Sequence, residues 1–353
     1  MRFSLFMQPV HFPGESPTIA FERDLELIEW WDTLGFDEVF IGEHHSSGWK
    51  LIASPAVFIA TAAARTKQIH LGSGVVPLAL HQPLYVADEY ILLDHLTRGR
   101  AILGVGAGGG IPSDPYVVGV ERAELQPRFA AAFDVMMRLF ENSAPYSVKT
   151  DWFELREAVL QVRPYTQPRM PIAVVTGKNP GTLSRIGRHG AIWLTALPPD
   201  QISEAWAHVE EGASGASRAA ARSQIRLNTI MHLADTREQA FEDVRAAAAR
   251  EQFDFAVPIL GRAQPDVARE DWIDVMAQAP TVVIGTPDDA IAKIRVIEEA
   301  SGGVGGLLIM SKEWASLEAT RHSYELMARY VFPEFQGALD GVHAAEQVAR
   351  GVE

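Results

Sequence analysis

The sequence predicts a (β/α)8 TIM barrel of the α/β class, carrying insertions. Three observations predict it. Short apolar runs of β type alternate with longer amphipathic runs, eight times over, which implies a parallel sheet. Eight such units in about 330 residues suit a closed barrel with insertions better than an open doubly wound sheet. Polar, aromatic and glycine residues gather where each predicted strand ends, the end at which barrel enzymes build their sites.

The elements follow in order. Residues 2–8 form a first strand. Residues 21–34 carry apolar side chains at Leu25, Ile28, Trp31 and Leu34, a helical period, and Gly35 stops that helix. DEVFIG (37–42) is a second strand. Ser54 caps a helix of small residues with Pro55 at its first position. Residues 69–76 are a third strand, 83–96 a helix, and AILGVG (101–106) a fourth strand. A helix over 126–140 is followed by a hairpin or strand excursion over 149–163, outside the barrel. PIAVVT (171–176) is a strand, and the next helix is entered at Asn179–Pro180. Strands over 191–195 and 225–233 precede helices over 199–211 and 236–250. Residues 251–280 have no strand–helix rhythm and read as an insertion. A helix over 287–300, the last strand GGLLIM (305–310) and a helix over 316–330 complete the chain. The expected organisation is a single domain over 1–336, with insertions near 110–125, 145–165 and 250–280 and a peripheral tail over 337–353.

A dinucleotide-binding doubly wound sheet is the competing fold. It needs G-x-G-x-x-G opening a helix. GVGAGGG does follow a strand, but Pro112 and Pro115 come next, and two prolines so close argue against an immediate helix.

Composition narrows the function. The chain is 47% apolar, ordinary for a globular protein with a sizeable core, and its formal charge of −14 comes without any basic run. That argues against nucleic acid and anionic membrane surfaces as partners. The absence of cysteine excludes disulfides, thiol nucleophiles, zinc thiolates and iron–sulfur clusters. MRFSLFMQPV is not a signal peptide, and no apolar stretch reaches the ~18 residues of a membrane helix. The expected compartment is the cytoplasm.

The barrel rule converts strand ends into a site. His11 and Phe12 follow the first strand, Glu43-His44-His45 the second, Pro77 and His81 the third. Residues 104–110 follow the fourth, Thr176 to Gly181 the fifth, and Ser311 and Trp314 the last. Adjacent histidines on a strand end point in opposite directions, so one of the pair faces the axis. That spacing is poor for chelation, and no metal is expected. Such a histidine serves as proton shuttle or hydrogen-bond donor; a buried structural pair with Glu43 is the alternative. TGKNPGT offers helix-start N–H groups and Lys178 to a phosphate, or is simply a well-capped loop. The glycines of GVGAGGG, and of Gly72-Ser73-Gly74, allow close approach of a flat ligand or make a flexible loop. Trp30, Trp31 and Trp206 read as packing residues, and Asp288 and Asp289 suit the start of a helix.

GFDEVFIGEHHSSGW, ASPAVFIATAAARTKQIHLGSGVV, LDHLTRGRAILGVG, IPSDPYVVG, KTDWFELREAVLQVRPY and SYELMARYVFPEFQG occur in strict order across most of the chain. In this the sequence resembles the luciferase-like flavin monooxygenases, most nearly the limonene 1,2-monooxygenase subgroup, with the diketocamphane monooxygenases more distant.

The resemblance implies reduced FMN, delivered by a separate NAD(P)H:flavin reductase, with dioxygen as co-substrate and a flavin C4a-peroxide as oxidant. It implies that His44 hydrogen-bonds that adduct or transfers a proton, and is the catalytic residue. Ser73, Gly74 and Val75 would lie against the isoalloxazine, where the family often has a non-proline cis peptide. Gly106 and Ala107 would back the ring, and Thr176, Gly177, Lys178, Asn179, Pro180 and Gly181 would hold the phosphate. The luciferases carry an arginine near Ala107 that is absent here, which shifts weight to Lys178 or Arg185. Relatives usually have serine where Asn179 stands.

The expected substrate is a small apolar molecule, terpene-, ketone- or polyketide-like, lined by His11, Phe12, Trp49, His81, Tyr116 and Trp314. Its product would be an epoxide, an alcohol or an ester. Two alternatives stand beside this: a deazaflavin (F420)-dependent hydride-transfer enzyme, and a flavin-binding protein without catalysis. A homodimer is implied by resemblance, through the apolar, small-residue helices over 54–65 and 83–96.

Overall fold

The computed structural model describes residues 1–8 and 10–351. Besides the two-residue strand Val76–Pro77, nine parallel strands among the described residues carry the architecture: β1 (Arg2–Met7), β2 (Glu38–Ile41), β3 (His70–Ser73), β4 (Ala101–Gly106), β5 (Ile172–Val175), β6 (Ile192–Thr195), β7 (Ile225–Leu233), β8 (Val282–Gly285) and β9 (Gly306–Ser311). All but β8 close a barrel. β1 lies between β2 and β9, with Leu5 opposite Val39 on one side and Ile309 on the other. The first half of β7 closes the ring, Ile225–Leu227 against Trp193–Thr195 and Arg226–Thr229 against Gly306–Ile309.

β8 was not expected from the sequence. It pairs with the far half of β7, Ile230 opposite Val282 through Leu233 opposite Gly285, beyond the barrel proper. Four residues between a loop and the capped start of a helix are too short to show a period.

Strands alternate their faces, and the barrel is filled by layers of inward side chains. At the base, Glu38 accepts hydrogen bonds from Arg226 Nε (2.8 Å) and Nη2 (3.0 Å), Ser4 Oγ (2.7 Å) and Arg2 Nη1 (2.7 Å). Burial opposes ionisation of Glu38, but the hydrogen bonds and charge of Arg226, with Ser4 and Arg2, outweigh it and hold its carboxyl at about 2. Above this plug Phe40, Ile102, Ala173, Leu194 and Leu308 pack together, joined by Phe6 and Val75. Further along the same inward faces stand Gln8, Asn228, Ile230 and Met310, which border open space. The outward faces (Leu5, Val39, Leu103, Ile172) pack on the surrounding helices, including Ile28 and Trp31 of Pro17–Leu34.

The helices start and stop for local reasons. Ser54 accepts from Val57 N and Asn179 from Thr182 N, each ahead of a proline at the first helical position. Gly35 closes Pro17–Leu34 with φ 84°, a left-handed position that suits glycine. Thr286 and Asp289 cap Pro287–Ser301 reciprocally.

One expectation is corrected here. The two prolines do not prevent a helix after the glycine cluster: Ser113–Val117 is helical. Pro115 falls in the first turn, where its missing N–H has no intrahelical acceptor to lose.

The excursion after the helix Leu125–Glu141 is an antiparallel hairpin, Tyr146–Lys149 with Glu154–Ala158. After the helix Arg237–Arg250 the chain makes a π-helical turn, Glu251–Ala256, and a short helix, Trp272–Met276, before reaching β8. The helix Asp340–Arg350 has no buried residue. Among the described residues, no helix is long and apolar enough to cross a membrane.

Candidate active site

A cavity of about 1260 Å³ opens at the carboxyl ends of the strands. This exceeds the ~300–1,000 Å³ usual for one ligand. Its wall has two halves. Loops after β3, β4, β5 and β6 supply Gly74, Val75, Ala107, Gly108, Thr176, Gly177, Lys178, Asn179 and Leu197. The other half comes from the ends of β1, β2, β7 and β9 and from residues 251–276: Gln8, Lys50, Asn228, Glu251, Phe255, Met310, Lys312 and Trp314.

His44 borders this space. Its Nδ1 is 2.9 Å from Asp114 Oδ2, and the other Asp114 oxygen accepts from the backbone N of His45 at 2.7 Å. Its Nε2 is buried and has no hydrogen-bond partner among the described residues. Burial pushes the imidazole below its usual pKa, and the nearby Lys50 cation adds to this against the opposing pull of Asp114. A neutral ring that donates Nδ1–H to Asp114 keeps the Nε2 lone pair as a buried, unpaired acceptor.

The neighbouring histidine turns away. His45 Nε2 (3.0 Å) and His81 Nε2 (2.5 Å) both donate to Glu43 Oε1. Burial alone would lower the pKa of His81, but the hydrogen bond and charge of Glu43 raise it overall. His81 is therefore a partner of Glu43 rather than part of the cavity wall.

The flat-ligand residues divide. The Gly74–Val75 peptide is cis, and Gln8 Nε2 donates to the Gly74 carbonyl at 2.9 Å. A Cβ on Gly74 would stand 2.5 Å from the Phe6 ring, so glycine alone fits that approach. Ser73 lies behind the wall, its Oγ bonded to the backbone O and N of Gly104 at 2.7 and 3.0 Å. Gly106 also stands behind: a Cβ there would meet Val175 at 2.6 Å and Val75 at 2.9 Å, so its smallness seats those two side chains.

Thr176 to Asn179 line the cavity, whereas Pro180 and Gly181 begin the helix Pro180–His189 outside the lining. Lys178 Nζ is 3.1 Å from Glu204 on an exposed face. Arg185, the other cation expected near a phosphate, is committed to Asp134 through two bonds of 2.9 and 2.8 Å.

The expected substrate-facing set needs the most correction. Trp314 lines the cavity, and its Nε1 donates to Glu251 Oε2 at 2.7 Å. His11 does not: it is buried against Asp24 at 3.0 Å, with Glu313 beyond. Phe12 lies under Arg250 and edge-on to Trp49, and Trp49 packs on Phe255 with centroids 5.6 Å apart. Both are thus one layer behind Phe255, which faces the space. Tyr116 is 83% exposed, because Asp114, two residues earlier on the same short helix, takes the inward side.

Sequence reasoning missed Asp114, Lys50, Lys312 and Glu251. Lys312 immediately follows β9, where the barrel rule could have found it. Lys50 Nζ donates to Gln8 O at 3.0 Å and Gln8 Oε1 at 3.2 Å. Burial, then the Lys312 cation, brings it down to about 7, against the pull of Glu251 and Asp114. Lys312 Nζ pairs with Glu251 Oε1 at 2.5 Å.

Residues 1–303 match the family described as luciferase-like monooxygenase. The chain is 40% identical to 4-hydroxyprotoasukamycin monooxygenase of Streptomyces nodosus subsp. asukaensis, over 97% of this chain and 94% of that one. It is also 40% identical to limonene 1,2-monooxygenase of Rhodococcus erythropolis, over 96% of this chain and 87% of that one. Among solved structures, the oxygenating constituent of 3,6-diketocamphane monooxygenase from Pseudomonas putida, in complex with FMN, superposes with TM-score 0.78 at 23% identity. It covers 94% of this chain and 98% of that one.

Monooxygenation is the class of chemistry to which this barrel is put. Within it, the chain belongs to the luciferase-like monooxygenase family.

Proposed function

We propose that this enzyme is the oxygenating half of a two-component system. A separate NAD(P)H:flavin reductase supplies reduced FMN, and one atom of dioxygen enters a small organic substrate. The observation that carries this reading is His44: an imidazole fixed by Asp114, its Nε2 buried and without a partner among the described residues, on a residue that borders a cavity large enough for cofactor and substrate together.

The residues present fit a flavin. Gly74, Val75 and Ala107 offer a flat wall beside His44, and Thr176 to Asn179 suit a phosphate. When bound, reduced flavin supplies the two electrons by which one oxygen atom reaches the substrate and the other leaves as water. The chain's own residues do the rest. Asp114 holds the His44 tautomer, and Nε2 accepts or returns a proton at the reacting centre. Phe255, Leu260, Trp272 and Met276 from residues 251–276 cover the open side and exclude water.

The test is an anaerobic titration with photoreduced FMN, followed by labelled dioxygen and substrate. Binding of reduced FMN with label in the product supports the reading. Binding of reduced deazaflavin but not reduced FMN sinks it and favours hydride transfer.

The reading extends to assembly and place. The helices Pro55–Arg65 and Pro83–Thr97 expose Val57, Tyr85, Leu92 and Leu96, an apolar face suited to a second copy of the chain. The compartment proposed is the cytoplasm, where a reductase finds its nicotinamide cofactor.

A further inference from the structure

Lys50 is the group that the proposed reaction leaves unused. Its ammonium carries three donors. Its hydrogen-bond partners among the described residues are two oxygens of Gln8, which leaves one donor unclaimed. The neighbouring carboxylates are already engaged. Glu251 is divided between Lys312 and Trp314, and Asp114 between His44 and the backbone of His45. As an ammonium, Lys50 is a cation inside the protein whose hydrogen bonds go to a neutral amide and a carbonyl, with one N–H left for a further partner.

Position says what that partner is. Lys50 borders the cavity beside the wall that suits the flavin: Gln8, which accepts from its Nζ, donates to the Gly74 carbonyl at 2.9 Å. Phe255, Met310, Trp314 and Ile230 line this part of the cavity beside the charged Lys312, Glu251 and Asp114. The Phe255 ring lies 5.9 Å from Nζ. A hydrocarbon would satisfy the apolar side chains and leave the ammonium alone.

We propose that Lys50, backed by the Lys312–Glu251 pair, is a carbonyl-anchoring subsite, and that the enzyme's substrate bears a carbonyl group attached to or conjugated with the carbon that is oxygenated. This rests on the monooxygenase reading above. In the step the O–O bond breaks, and one oxygen atom bonds to that carbon and to its neighbour in place of the π bond between them (an epoxide) or of the σ bond between them (an ester). The other leaves as water, with two electrons and two protons from reduced flavin. Negative charge gathers on the carbonyl oxygen while the new bond forms and returns as it completes. Lys50 contributes no electrons: its free N–H donates to that oxygen throughout and most strongly when the charge is greatest. A lysine is suited to this because its ammonium is a compact point donor on a flexible stem.

The experiment compares carvone and limonene, which share a carbon skeleton and differ in one carbonyl. Binding is read by equilibrium dialysis on the protein without flavin or oxygen, so the result is independent of turnover. The wild type is expected to prefer carvone by at least about tenfold, one charge-assisted hydrogen bond. Lys50→Met should reduce that preference to within about twofold and leave limonene binding within about twofold. The stretching frequency of isotopically labelled carvone C=O should fall on binding to the wild type. Equal binding of the two by wild type, no shift of the carbonyl band, or a preference that survives in Lys50→Met overturns the subsite. If Lys50→Met does not fold, the wild-type preference and band shift decide. Oxygenation without carbonyl preference defeats this inference alone; carbonyl preference without binding of reduced FMN defeats the monooxygenase reading alone.

Discussion

Asp114 Oδ2 stands 2.9 Å from His44 Nδ1, so a residue of the short helix after β4 fixes the ring of a residue after β2. The carboxylate accepts from Nδ1–H and leaves Nε2 as the free acceptor. Asparagine at this position can present its amide N–H₂ instead, which favours the other tautomer. Asp114→Asn is therefore expected to lower turnover by about 10²-fold or more, while affinity for reduced FMN changes little. Removing the Asp114 charge also removes part of what opposes the burial effect on His44. The acidic limb of the pH–rate profile, below the ordinary 6.5, should move lower still. A variant with unaltered turnover would show that Asp114 serves only the fold.

The Lys50 subsite has its own pH signature. Lys50 is brought down to about 7, by burial first and then by Lys312. The titratable groups acting on or beside it are Lys312 from the end of β9, Glu251 from the π-helical turn, Asp114 from the short helix after β4, and His44 on its own loop. A neutral amine has two N–H groups, both matched by Gln8. The carvone-over-limonene preference should then be greatest below pH 7 and disappear above pH 8. Equilibrium dialysis at several pH values tests this, and a flat profile would count against Lys50 as the anchor.

At the barrel base the expectation concerns stability. Glu38 joins Arg226, Ser4 and Arg2 in a buried layer, and Glu38→Gln leaves the Arg226 guanidinium without its counter-charge. The cost expected is about 3–5 kcal/mol in chemical denaturation. The folded pKa of about 2 lies below the ordinary 4.5. The carboxylate's contribution is thus complete above pH 4.5 and is lost as pH falls towards 2. Wild type should lose stability across that window, and Glu38→Gln should lose less.

Glu313 behaves oppositely. Burial raises it to about 7, against the charges of Arg23 and His11. The folded protein holds this proton more tightly than the unfolded chain does. Stability should therefore fall as pH rises from 4.5 to 7 and level off above. Glu313→Gln cannot ionise, so its melting temperature relative to wild type should climb across the same interval. Parallel curves for the two proteins would refute the assignment.

The barrel was legible because its strands are buried on both faces and so appear as apolar runs; Ala101–Gly106 is buried throughout. β8 escaped because Val282–Gly285 is short and follows an insertion. His44 was legible from the glutamate–histidine–histidine strand end. Asp114 stood in a stretch read for resemblance, and nothing local marks it as the partner of a residue 70 positions earlier. Tyr116 was misplaced for a related reason. On a five-residue helix the inward side is set by the loop that delivers it, not by any sequence period. Glu251 and Phe255 reach the cavity only because the chain after Arg237–Arg250 folds back over the barrel, a tertiary event without a local signal.

That fold-back gives the last prediction. Phe255 is 1% exposed, packs on Trp49 at 5.6 Å and borders the cavity beside Lys50. Arg250 covers Phe12 at 4.2 Å, and Arg269 holds Asp254 through two bonds of 2.8 Å. The turn Glu251–Ala256 is thus clamped from both sides, with Phe255 as its inward face. An oxygenase needs that face because water admitted to the cavity lets the bound oxidant decay to hydrogen peroxide before it reaches substrate. Phe255→Ala removes the ring and leaves His44, Lys50 and the flavin-facing loops in place. Oxygen consumption is expected to continue near the wild-type rate, while the fraction recovered as oxygenated product falls several-fold and hydrogen peroxide rises to match. Phe255→Leu keeps an apolar side chain and should restore most of the coupling, which separates water exclusion from simple loss of packing. Tight coupling in Phe255→Ala would mean that another element seals the cavity.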